Sequence, residues 1–142
     1  MTVEQKILIK KTWKMFRGID PSVIGDTFYS KLFNDTPGLR RMFPSNMDDQ
    51  YKKLIDMLSV IVARIDNLDE LNEDITAMAR RHLHYGVRPG HYKLVGKALL
   101  WTLEQGLGRD WSAEVEEAWT QCYSTISEIM IRASGEWVVR GH

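Results

Sequence analysis

The chain has a single cysteine, Cys122, in 142 residues, which excludes an internal disulfide and with it a disulfide-stapled secreted scaffold. It has little to break helices: four prolines and ten glycines, most of them between segments of helical period. It has no charge excess. The 19 basic and 19 acidic residues cancel, so the basic footprint of a nucleic-acid binder is missing, as is any bias towards an anionic membrane. No apolar run reaches the roughly 18 residues of a membrane span. The opening MTVEQKILIKKTW interleaves apolar and charged residues and reads as neither a signal peptide nor a span. A cytoplasmic, reducing setting is therefore expected. There is no period-two strand pattern, no repeat and no low-complexity run. CxxC, HExxH and clustered carboxylates are also missing, which argues against a zinc site.

What remains is helical. With 44% hydrophobic and 27% charged residues, the chain can bury one domain-sized core. Thr2 and Gln5 have capping-box spacing ahead of a first helix that ends near Gly18. Asp20-Pro21 pairs an N-cap residue with proline at the first helical position. Thr36-Pro37 starts a short third helix that Pro44 stops. Longer helices are expected over about 46–65, 68–85 and 89–107, the last opened by Pro89 and broken by Gly106 and Gly108. Ser112 caps a final helix expected to run from Ala113 to about Ser134. The result is an all-α chain of six to eight helices.

The sequence RRHLHYG (80–86) holds two of the four histidines. Leu71, Ile75, Met78 and Ala79 form one apolar stripe, at steps of 4, 3 and 1, and His82 continues it. His84 falls on the polar side. An inward imidazole is either a hydrogen-bonded core residue or a metal ligand, and the helix alone leaves both open. The helix 46–65 carries Gln50, Leu54, Met57 and Ile61 on one face, apolar except for the amide. Tyr29 can carry a hydroxyl inward beside Phe28 and Phe33. One imidazole with a tyrosine and a glutamine in apolar surroundings suits a haem better than zinc, because the porphyrin brings four nitrogens of its own.

Six segments then carry a resemblance: GDTFYSKLF (25–33), TPGLRRMF (36–43), DQYKKL (49–54), ARRHLHYGV (79–87), HYKLVGKALLWTL (91–103) and EEAWTQCYSTI (116–126). In this order and spacing the chain resembles a single-domain globin over about residues 3–134. It is similar to bacterial single-domain globins and the globin half of flavohaemoglobins, and more distantly to neuroglobin. The resemblance implies a globin fold enclosing a haem pocket over residues 1–134, with 135–142 as a tail, and haem b (iron protoporphyrin IX) as cofactor. It implies His82 as the iron ligand, Tyr29 as the distal tyrosine, Gln50 at the usual distal-histidine position and Leu54 one turn on. Gly25 would lie at a helix crossing, Phe43 against the haem, and Tyr92 would be the tyrosine of the proximal pocket. Lys53, Arg81 and the Arg40-Arg41 pair could meet the propionates or form a solvated charged face.

Two departures qualify the likeness. The distal position is glutamine, so a two-histidine iron of the neuroglobin type is not available from it. The carboxylate expected in the last helix of a flavohaemoglobin-like proximal pocket is replaced by Ser134, with Glu136 on a different face, which weakens peroxidase-like activation. The implied function is reversible, high-affinity binding of O2, with NO and CO as further ligands. The alternatives are NO dioxygenation with a separate reductase, since the 142 residues hold no reductase domain, and gas sensing through the tail. Tyr29 and Gln50 are both expected to donate to bound O2. A monomer or weak homodimer is expected, without nucleic-acid or membrane partners. Trp13, Trp101, Trp111 and Trp119 read as packing, and the methionines as gap fillers, with Met47 or Met57 the alternative second iron ligand. Cys122 reads as a buried inert thiol. His91 and His142 have no constellation around them.

Overall fold

The computed structural model describes the backbone of residues 1–84 and 86–139, and the side chains of these except 83, 84 and 134–139. Among the described residues there are six α-helices: α1 (Val3–Phe16), α2 (Pro21–Asp35), α3 (Asp48–Ala63), α4 (Asn72–His84), α5 (Pro89–Leu107) and α6 (Ala113–Val139). Short 3-10 turns lie at Pro37–Met42, Ile65–Leu71 and Gly108–Asp110. Among the described residues there is no strand, and no helix is long and apolar enough to cross a membrane.

The local signals act as their chemistry requires. The Gln5 N–H donates to Thr2 Oγ1 (3.1 Å) while the Thr2 N–H donates to Gln5 Oε1 (2.9 Å), closing the capping box. The Asp20 carboxylate accepts the Ser22 N–H (2.8 Å) ahead of Pro21, and Ser112 Oγ accepts the Val115 N–H (3.2 Å). At the end of α4, Gly86 adopts φ 91° and the Val87 N–H returns to the His82 carbonyl (2.9 Å), the Schellman pattern.

Two boundaries differ from the sequence expectation. The segment between α3 and α4 is a 3-10 turn, with Asn67 non-helical at φ −139° and ψ 55°, rather than the ends of two longer helices. Its apolar residues Ile65, Leu68 and Leu71 recur every third position, the period of a 3-10 helix, and Ile65 and Leu71 are buried. The last helix continues past Ser134 to Val139 instead of ending there.

α1 packs on α6, α2 crosses both α3 and α5, and α4 lies along α6. The α1–α6 contact is built on Trp13, Phe16 and Trp119, with Trp119 Nε1–H donating to Thr12 Oγ1 (2.9 Å). Trp13 and Trp119 are thus core residues, as expected. Trp101 is not: it lies on the surface with Lys31 Nζ 5.3 Å above its ring, a cation–π contact. Among the described residues α3 packs on α2 and α1, α4 packs on α6, and α3 and α4 do not pack closely on each other. The two helices that carry Gln50 and His82 are therefore packed on different α-helices, although both touch the 3-10 turn Ile65–Leu71.

Candidate functional site

Gln50 stands in the first turn of α3 and Tyr29 in the middle of α2. The Gln50 Nε2–H donates to Tyr29 Oη at 3.1 Å. Sequence reasoning expected both groups to donate directly to a ligand. In the structure Gln50 serves Tyr29, and the phenolic proton and the second Gln50 amide N–H are the donors that the pair itself does not use. Tyr29 is buried, and burial pushes its hydroxyl up to about 12, against a smaller lowering by Gln50. It therefore stays a neutral O–H donor through the physiological range.

An aromatic wall holds the Tyr29 ring. Phe43 meets it edge-on at 5.4 Å, Phe33 lies at 5.8 Å and Tyr51 stacks at 5.8 Å with a 25° interplanar angle. Phe33 also contacts Phe43 at 5.3 Å. Phe43 is fixed in turn by Arg40, whose guanidinium donates to the carbonyls of Phe43 (3.2 Å), Pro44 (2.9 Å) and Ser45 (3.2 Å) and lies over the Phe33 ring at 5.4 Å. Arg40 thus has a structural task that neither the propionate nor the charged-face expectation named. Leu54, one turn after Gln50, is buried, and Met57 beyond it is half-buried.

His82 is half-buried on α4, on the stripe that buries Ile75 and Ala79. Its Nδ1 lies 2.7 Å from the Met78 carbonyl. A carbonyl only accepts, so Nδ1 carries the proton and the neutral ring keeps its lone pair on Nε2. Burial pushes the imidazole below its ordinary value, the Met78 carbonyl opposes this, and neighbouring Arg81 adds to the lowering. The result favours a neutral, fixed-tautomer imidazole, the form that binds a metal.

Tyr92 is buried near the start of α5, and its carbonyl accepts the Tyr123 hydroxyl at 2.6 Å. Gly96 makes room for that contact, since a Cβ there would lie 2.7 Å from Tyr123 Cε2. Lys53, Arg41 and Arg81 are exposed. Met47 is buried, and so is Cys122, whose thiol burial pushes up to about 12, consistent with an unreactive role. His91 Nδ1 accepts the Arg88 N–H (3.0 Å) at the start of α5. The side chains of His84, Ser134 and Glu136, and Tyr85 and His142 altogether, lie outside the described residues.

The fold therefore brings Tyr29, Gln50 and Phe43 together, and carries His82 on α4, which among the described residues does not pack closely on α3. Sequence reasoning missed two members of the wall. In the sequence Phe33 reads only as a neighbour of the inward face. Tyr51 was passed over, although it follows Gln50 directly, and the glycine it sits against, Gly25, lies one turn before Tyr29. Among the described residues no three of His, Cys, Asp and Glu gather as a metal site. A lone neutral imidazole completes the coordination of a metal that arrives with its other ligands, as in haem, and the apolar residues around Leu54 and Phe43 suit a porphyrin face. The donor set fits that group.

The globin family model matches residues 26–130, and the chain belongs to the globin family. It is 33% identical over 103 residues to an uncharacterized globin-like protein of Aquifex aeolicus, a match covering 72% of this chain and 73% of that one. It is 28% identical to a flavohemoprotein of Vibrio cholerae across 95% of its own length but spans only 35% of that protein. Its fold matches a bacterial globin from Campylobacter jejuni with a TM-score of 0.84 at 24% identity, covering 96% of this chain and 99% of the other.

Proposed function

We propose that this globin holds a haem and binds O2 reversibly with high affinity, with NO and CO as further ligands. The observation that carries this reading is the buried Tyr29 hydroxyl, polarised by Gln50, in a chain that also offers a fixed-tautomer imidazole at His82. Haem, as iron protoporphyrin IX, would supply the iron that binds the gas. His82 Nε2 would hold that iron, with the Met78 carbonyl keeping the ring in its tautomer and making it a better donor. Phe43, Leu54 and Tyr92 would line the porphyrin, and Lys53 and Arg81 would meet its propionates.

Selectivity would come from Tyr29. O2 draws electron density when it binds and CO draws little, so an O–H donor favours the first. Donation from Gln50 to Tyr29 Oη strengthens the tyrosine as a donor, because hydrogen bonds in a chain polarise one another. A bond of this kind to a charged partner contributes about 1.5–3 kcal/mol. The likeness to a flavohemoprotein across 95% of the chain favours a second reading. NO dioxygenation consumes O2, NO and one electron to give nitrate, and a separate reductase would supply the electron.

The visible spectrum of the haem-loaded, reduced protein tests both. Without air it should show one broad band, and air should convert it to a stable two-banded form. Sharp paired bands before air, or immediate oxidation by air, would instead place an internal sixth ligand or redox chemistry in the pocket and remove the reading of reversible O2 binding. Addition of NO to the air-equilibrated form should yield nitrate if the dioxygenase reading holds, with turnover only when a reductase is present.

A further inference from the structure

We propose that Tyr51 is a positioning residue: its ring, seated on Gly25 where α2 crosses α3, sets the place from which the Tyr29 hydroxyl donates. This rests on the reading of Tyr29 as the donor to the bound gas.

Three contacts hold the Tyr51 ring. At its base, it lies so close to the α2 backbone that a Cβ on Gly25 would stand 2.5 Å from both Tyr51 Cβ and Cγ and 2.7 Å from Cδ1. Nothing larger than hydrogen fits at residue 25 while Tyr51 stays where it is. On its face, the ring stacks on Tyr29 at 5.8 Å and 25°. At its tip, the hydroxyl reaches Asp26 Oδ1 at 3.4 Å. Gly25 and Tyr29 are four residues apart, so they share one face of α2, and the ring spans from one to the other.

The consequence follows from what surrounds Tyr29. Phe33 and Phe43 close other sides of its ring. Tyr51, like Phe33 and Phe43, is half-buried, so its ring meets Tyr29 on one side and solvent on another. Without that ring, Tyr29 can tilt towards the helix crossing, and water gains access to its hydroxyl. Both effects weaken donation to a ligand, because a hydrogen bond loses strength steeply when its geometry departs from linear. The Gln50 bond does not prevent this tilt, since it joins Oη to a side chain at the helix terminus.

The test compares Tyr51→Leu, Tyr51→Phe, Gly25→Ala and Tyr29→Phe in the reduced, haem-loaded protein. The readouts are the infrared CO stretch, the rate of O2 release and thermal unfolding. The CO stretch reports the field of a donor at the ligand, which packing alone does not supply. Tyr29→Phe should move it to the donor-free position. Tyr51→Leu should move it part of the way and speed O2 release about three- to tenfold, the part of a hydrogen bond lost by misplacement. Tyr51→Phe keeps the ring and should hold the parent band, with O2 release within about twofold. Gly25→Ala displaces the ring without altering residue 51, and carries the test if the leucine variant fails to fold: the band should move the same way. An unmoved band in the leucine and Gly25 variants beside a moved one in Tyr29→Phe overturns the role of Tyr51 alone, whatever the melting temperatures. An unmoved band in Tyr29→Phe brings down the reading of Tyr29 and the role of Tyr51 with it.

Discussion

Tyr29→Phe will release O2 about ten- to a hundredfold faster than the parent while CO release stays within about twofold, because one charge-assisted hydrogen bond is lost and nothing else moves. The ring contacts with Phe33, Phe43 and Tyr51 involve the carbon skeleton, which phenylalanine keeps. Only the hydroxyl goes, and with it the acceptor of the Gln50 amide. Gln50→Leu removes the polarising donor but leaves the phenol, so its effect on O2 release should be smaller. The two substitutions act on one chain of hydrogen bonds, so the double variant should fall short of the sum of the singles. Laser photolysis and stopped-flow mixing give the four rates. Equal acceleration of O2 and CO in Tyr29→Phe would show that the hydroxyl acts by filling space, and the selectivity argument would fail.

Much of this site was legible before the structure because its parts sit on helices whose periods can be counted. His82 falls on the stripe of Ile75 and Ala79, and the structure buries both neighbours and half-buries the imidazole. Capping at Thr2, Asp20 and Ser112 needs only short-range chemistry, so those helix starts could be placed directly. The parts that were not legible depend on contacts between helices. Arg40 looks like any surface cation in the sequence, yet its guanidinium gathers three carbonyls that follow it and fixes Phe43. Tyr51 looks like a solvent-side neighbour of Gln50, and its importance appears only where α3 crosses α2 at Gly25. The direction of the Gln50 bond is of the same kind: two polar groups on different helices can donate in parallel or in series, and spacing along the chain does not choose between them. The end of α3 was misjudged for a different reason. An apolar residue at every third position fits both the edge of a helical stripe and a 3-10 turn, and Asn67 breaks the helix between them.

His82→Ala will abolish tight haem retention without unfolding the apoprotein. The imidazole is half-buried, and its side-chain partner is the Met78 carbonyl one turn back on the same helix, so its removal leaves a small gap and no isolated buried charge. Helical content by circular dichroism should match the parent, while the haem-loaded fraction collapses, and added free imidazole should restore binding by replacing the lost ligand. Retention of haem with an unchanged spectrum would assign the iron to another residue. The same side chain predicts the acid behaviour. Folding lowers the His82 pKa below its ordinary 6.5, so the folded apoprotein takes up its proton less readily than the unfolded chain. Stability from the neutral imidazole is then fully present above about pH 6.5 and is lost as the pH falls through the lower folded-state value. Iron bound at Nε2 competes with the same proton and acts in the same direction, so acidification should release haem and destabilise the fold together. In His82→Ala the apoprotein should lose less stability than the parent between about pH 7 and about pH 5, since the group that resists protonation is gone. Denaturant titrations of both apoproteins across that window measure the difference directly. Identical pH slopes would mean that His82 is free to protonate in the folded chain, which contradicts an imidazole held neutral for a metal.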